Sequence, residues 1–113
     1  MMMARRDTYR RWPHTEEGRR VIRRHGGTPM QKYGTDGTLR GRPVEVRSIR
    51  KDDRYRIQQD VHRNLVRNNG SYIFVNDGRS RVMLAEDVSR LLGRGPWYRG
   101  RKYPHKFLDE GDV

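Results

Sequence analysis

The segment Tyr72-Ile73-Phe74-Val75 is an unbroken apolar run in a chain that is otherwise mostly polar. A strand with one face in water alternates apolar and polar residues, whereas a continuous run is buried on both faces. The run therefore predicts a central strand over Ser71 to Val75, in a sheet covered on each side. At 113 residues the chain has room for one domain and not for two separate cores. Only 32% of its residues are hydrophobic and 35% are charged, so one modest core with solvated ends is expected.

The other elements are read outward from that strand. Thr15 is placed to cap a helix, with Glu16 and Glu17 in a first turn whose dipole favours anions. Gly26-Gly27 ends this helix after His25. Met30 to Tyr33, Thr38 to Arg40 and Pro43 to Ile49 read as strands divided by turns at Gly34-Thr35-Asp36-Gly37 and Gly41-Arg42. Arg50 to Arg56 reads as a charged connection. Ile57, Val61 and Leu65 then recur at helical spacing, and Asn69-Gly70 stops that helix. After the central strand, Asn76-Asp77-Gly78-Arg79 makes a tight turn into a strand from Arg81 to Ala85, and Glu86 to Leu92 forms a short helix. The order α-β-β-β-α-β-β-α gives an α/β fold with a small mixed sheet flanked by helices. Ile57, Val61, Leu65, Tyr72 to Val75, Val82 and Leu84 are its expected core.

Lys and Arg together number 26 against 14 Asp and Glu, a net charge of +12. Such an excess repels itself unless a polyanion neutralises it, and each phosphate contact gains by releasing a condensed counterion. Lysine stands only at Lys32, Lys51, Lys102 and Lys106. The other basic residues are arginines, which fork phosphate oxygens and stack on bases. Residues 1–13 read as a flexible basic arm with Arg5, Arg6, Arg10 and Arg11. Residues 14–93 form a single nucleic-acid-binding domain, and residues 94–113 a basic, aromatic C-terminal extension. Within the extension, residues 94–106 carry five basic residues, no acid, and Trp97, Tyr98 and Tyr103. This composition suits either a groove that stacks bases or a segment laid over the core. Arg50, Lys51, Arg54, Arg99, Arg101 and Lys102 complete the expected nucleic-acid contacts.

Without cysteine there are no disulfides or thiolate zinc sites. No apolar run reaches the ~18 residues a membrane span needs. No apolar stretch follows Met1 to Met3, so a cytoplasmic location without a signal peptide is expected. His14, His25, His62 and His105 lack ligand spacing, and His62 reads as a surface residue of an Arg-rich helix.

Glu45 and Arg47 lie two apart and so leave one face of a strand. Asp36 sits near the start of the preceding strand. Adjacent strands would bring the two carboxylates to one hard cation such as Mg²⁺. A Glu-x-Arg strand is also explained by ordinary cross-strand ion pairs.

A helix with glutamate, then Gly34-Thr35-Asp36-Gly37, then Gly41-Arg42-Pro43-Val44-Glu45-Val46-Arg47-Ser48, then a helix and a buried strand, resembles the core of the PD-(D/E)XK nuclease superfamily. Restriction-endonuclease-like domains and compact archaeal Holliday-junction resolvases share that core. The resemblance covers roughly residues 15–85 and implies a restriction-endonuclease-like fold and phosphodiester hydrolysis. Asp36, Glu45 and the carbonyl of Val46 would hold Mg²⁺ or Mn²⁺, with Glu16 or Glu17 assisting. Gln58, Gln59 or His62 would point at the site. A homodimer acting on DNA before RNA is further implied. The sequence departs from the pattern where Arg47 replaces the catalytic lysine. Arginine cannot act as a general base, although it can hold transition-state charge. A non-catalytic DNA- or RNA-binding module and a structural RNA-associated protein stay open as alternatives.

Overall fold

The run from Tyr72 to Val75 does lie inside a sheet, and every residue in it is buried. The computed structural model describes residues 11–32, 35–100 and 102–113, with backbone alone for 11–15, 31 and 32. In chain order the elements are α1 (Arg11–Arg24), β1 (Thr28–Lys32), β2 (Thr35–Leu39), β3 (Arg42–Ser48), β4 (Arg54–Gln58), α2 (Gln59–Arg67), β5 (Ser71–Asn76), β6 (Arg79–Leu84), α3 (Ala85–Leu92), β7 (Tyr98–Arg99), β8 (Pro104–Asp109) and a final 3₁₀ turn. A five-stranded sheet runs β1-β2-β3-β5-β6, and a three-stranded sheet runs β4-β8-β7. β1 to β3 form an antiparallel meander, β5 lies parallel to β3, and β6 is antiparallel to β5. Parallel neighbours need a crossover, and β4 with α2 supplies it.

Each face of the large sheet has its own core. On one side, Val21 and Ile22 of α1 meet Val44, Ile73 and Val75. On the other, Tyr72 and Phe74 meet Tyr55, Ile57, Leu65, Ala85, Val88 and Leu108 from the helices and the small sheet. Gly37 fits this plan, because a Cβ there would stand 2.4 Å from the Thr28 carbonyl and 3.0 Å from Ile22. α1 can therefore lie flat across β2 beside Asp36. The β5–β6 hairpin turns through Asp77 and Gly78, both at positive φ, the backbone that Asp-Gly favours in a two-residue loop.

Several expectations are corrected. α1 begins at Arg11, so Thr15 lies within it rather than capping it, and no acid sits in its first turn. Arg50 to Arg56 is no mere connection: it turns and enters β4. Ile57 belongs to that strand, and α2 starts at Gln59. Asp36 stands in β2 rather than in a turn. Val82 and Leu84 are 38% and 51% exposed. They leave β6 on the same face as Ile73, while α1 packs mainly over β1 and β2 and reaches β6 through His25, bonded to Ser80 Oγ. Residues 104–109 are integral, since β8 pairs along the whole of β4 and buries Leu108. Among the described residues, no helix is long and apolar enough to cross a membrane.

Candidate active site

β3 carries the site because alternation divides its side chains. Val44 goes to the α1 core, while Glu45 and Arg47 go to the opposite face, in register with Tyr72 and Phe74 of β5. Gly37 pairs with Val44 on the other edge of β3, so Asp36 comes level with Glu45. Its Oδ2 accepts a hydrogen bond from the Val46 backbone N–H at 2.8 Å. Asp36 acts on the Glu45 carboxyl both as a neighbouring charge and as a hydrogen-bond partner.

Glu45 is 5% exposed, and its Oε2 lies 2.9 Å from Arg47 Nη2. Arg47 Nη2 also donates to Gln58 Oε1 at 3.3 Å. Glu45 Oε1 and Arg47 Nε make no hydrogen bond with a fixed donor or acceptor, and Asp36 is the side chain placed to bond the Glu45 carboxyl once that carries a proton. An unpaired polar atom shut away from water costs about 1–3 kcal/mol. Burial pushes the Glu45 carboxyl up to about 8; Arg47 opposes this, while Asp36 and Asp60 add to it. Below that value Glu45 keeps its proton, and the neighbouring Asp36 carboxyl is placed to share it.

The same shift makes a prediction about stability. Folding favours the protonated form of Glu45, because its folded pKa lies far above the usual carboxylate value of 4.5. The stability contributed is complete below about pH 4.5 and is lost as pH rises toward 8. The melting temperature of metal-free protein should therefore fall by several degrees between pH 5 and pH 8. Glu45→Gln should remove that fall, which calorimetry in EDTA can measure. An equal slope in both proteins would show that another group controls it.

The other expected residues are placed as follows. Glu17 accepts a hydrogen bond from Ser48 Oγ at 3.1 Å. It does not join the carboxyl pair, for among the described residues no three His, Cys, Asp or Glu side chains gather closely enough to hold a metal. Glu16 is exposed. Of the polar candidates following β3, Gln58 is the one at the site, from the end of β4. His62 is no surface residue: it is 5% exposed, bonded to Tyr72 Oη at 2.9 Å and Ser89 Oγ at 2.7 Å. Burial and nearby Lys106 hold its pKa below the ordinary value. It shares the helical stripe of Leu65, three residues on, which was the available signal. Asp60, in the first turn of α2, adds to the rise at Glu45, and no local sequence pattern ties it to the site.

Of the expected nucleic-acid contacts, Arg50 and Arg54 both pair with Asp52. Lys51 and Arg99 are exposed, and Lys102 lies over the Tyr103 ring. Arg5, Arg6, Arg10 and Arg101 lie outside the described residues, and Arg11 contributes backbone to α1. No protein-family model matches this chain, and no curated protein or solved structure matches it significantly.

Proposed function

We propose that the chain is a metal-dependent nuclease, hydrolysing phosphodiester bonds of nucleic acid at Asp36, Glu45 and Arg47 on a restriction-endonuclease-like core. The observation that carries this reading is the buried carboxyl pair of Asp36 and Glu45, with Arg47 bonded to Glu45 and its Nε left without a partner. The carboxyl pair suits a cation and Arg47 Nε an anionic oxygen, the two charges that meet at a phosphodiester. The donor set fits Mg²⁺ or Mn²⁺, since Mg²⁺ is commonly held by one or two carboxylates and keeps several waters. In an extended strand the N–H and C=O of one residue leave by the same edge. The Val46 carbonyl thus faces the side on which its N–H holds Asp36, and it is the third ligand of the proposal. A helix, a three-stranded meander and a crossover into a parallel strand support the core assignment.

When bound, the cation would supply an activated water and Lewis-acid polarisation of the phosphate. The chain supplies the rest. Asp36 is oriented by the Val46 N–H and Arg47 by Gln58. Arg47 always stays charged, so it holds a phosphate oxygen and moves no proton. Glu45 must ionise to take a cation, so cation and proton compete and activity should climb toward pH 8.

The test is incubation of labelled duplex, single-stranded and branched DNA with the pure protein, with Mn²⁺ or with EDTA. Cleavage with Mn²⁺ alone is the expected result; none on any substrate would overturn the proposal. A non-catalytic binding module is the second reading, favoured by the Arg47–Glu45 ion pair, which satisfies half of each group without any ligand. Both readings predict an affinity that falls linearly in log salt, with a slope near −0.7 per phosphate contact for single strands. Affinity indifferent to salt would remove both.

A further inference from the structure

The small sheet buries one face and leaves the other open. Tyr55, Ile57 and Leu108 point into the core, and Lys106 turns inward to the Gly93 carbonyl at 3.0 Å. Alternation therefore places Arg54, Arg56 and Gln58 of β4, with His105 and Phe107 of β8, on the outer face. Tyr98 of β7 is in register with His105. The rings of Tyr98, His105 and Phe107 follow one another across this face, with centroids 6.0 and 5.1 Å apart. The guanidinium groups of Arg50 and Arg54 lie over the Phe107 ring at 4.8 and 4.0 Å. Arg56 is in register with Phe107, is exposed, and has Arg47 and Arg50 as its charged neighbours. Asp52 offsets part of this charge and Asp109 lies at the far end, opposite Arg54. Gln58 is level with the central ring, His105, and is bonded to Arg47, so the middle of the row lies one residue from the carboxyl pocket.

We propose that this face is a platform for unpaired nucleotides, whose bases stack on Tyr98, His105 and Phe107 while Arg50, Arg54 and Arg56 track the phosphates. A basic patch alone would serve a duplex as well. Base faces inside a duplex are already stacked on each other, so a row of rings rewards only bases outside it. At Phe107 a base would stack on the guanidinium planes that already cover the ring. The platform would lead a single-stranded segment past Gln58 to Glu45, and in that direction alone it rests on the nuclease reading.

The test is fluorescence anisotropy of the full chain in EDTA, with a labelled oligothymidylate and a blunt duplex of equal length. Tyr98 is 67% exposed, so Tyr98→Ala removes a ring without opening the core. It should weaken single-strand binding about tenfold, the scale of one lost base stack, and change duplex binding by no more than about twofold. Phe107→Leu keeps apolar bulk under the two arginines and should show the same asymmetry. Arg56→Ala should weaken both substrates, because phosphate contacts are blind to pairing. Equal losses on both substrates for Tyr98→Ala and Phe107→Leu, or no loss on either, would overturn the platform. Because the assay contains no divalent cation, a protein that stacks but never cuts would sink the nuclease reading alone. One that cuts while Tyr98→Ala binds single strands normally would sink the platform alone.

Discussion

Glu45→Gln is expected to abolish Mn²⁺-dependent cleavage while leaving nucleic-acid binding in EDTA unchanged or tighter. The amide keeps the size of the side chain, so the fold is preserved and only the charge is removed. If both carboxyl groups hold the cation, the rate should fall about a thousandfold or more, or about 4 kcal/mol of barrier. Binding should hold or improve because a potential negative charge facing the phosphates has gone. The same variant should be more heat-stable than the parent near pH 8, where the parent begins to bear a buried carboxylate. That gain separates a functional loss from unfolding. Arg47→Lys is the companion. Lysine has no second donor held in a fixed fork, so it should weaken both binding and cleavage about tenfold if Arg47 Nε takes a phosphate oxygen. A rise in cleavage would instead show that the position works as the lysine of the resembling nucleases does. Wild-type protein inert toward every substrate, with Glu45→Gln merely more stable, would leave the ion pair a structural feature of a binding module.

The parts of the fold legible in the sequence were those governed by near neighbours. The run at Tyr72 to Val75, the Asp77-Gly78 turn and the Glu45/Arg47 alternation each depend on residues a few positions apart, and each is found. β4 was hidden because two periods coincide at Ile57. It lies four residues before Val61, which suggests a helix, and two after Tyr55, which makes a strand. What decides between them is β8, whose pairing partners lie about fifty residues downstream. No local pattern carries that information. The exposure of Val82 and Leu84 has a similar origin, because their alternation is that of a covered strand and which strands α1 lies across is set by distant packing.

The site was legible to the same extent. Asp36 and Glu45 could be paired from strand order, but Glu17 could not be placed, since the turn of α1 that faces β3 depends on how the helix lies over Gly37. The arginines of α2 mask the burial of His62. A histidine on the buried stripe of an otherwise basic helix needs partners, and these come from Tyr72 and Ser89, on two different elements. The outer face of the small sheet was foreseen only as composition. Register, not content, turns Tyr98, His105 and Phe107 into a row.

Phe74→Ala should be the most damaging core substitution, costing about 3–5 kcal/mol. Phe74 is 2% exposed and lies where the two sheets meet. Its ring centroid is 4.7 Å from that of Tyr55 in β4 and 5.3 Å from that of Tyr72 beside it in β5. Removing it takes away an aromatic contact on each side and leaves a cavity that neither stiff ring can fill. Small domains are stable by only about 5–15 kcal/mol in total, so urea denaturation should show a midpoint reduced by about a fifth or more. Val82→Ala is the control. Val82 sits on the neighbouring strand, but it is more than a third exposed and should cost no more than about 0.5 kcal/mol. Similar losses for the two variants would mean that β6 is covered and that the core is wrongly divided between the faces. A large loss for Phe74 alone would also reach the site, because Arg47 stands directly opposite it in β3. With the ring gone, that part of β3 loses its packing against the small sheet, and the spacing between Arg47 and Gln58 should loosen before the chain unfolds.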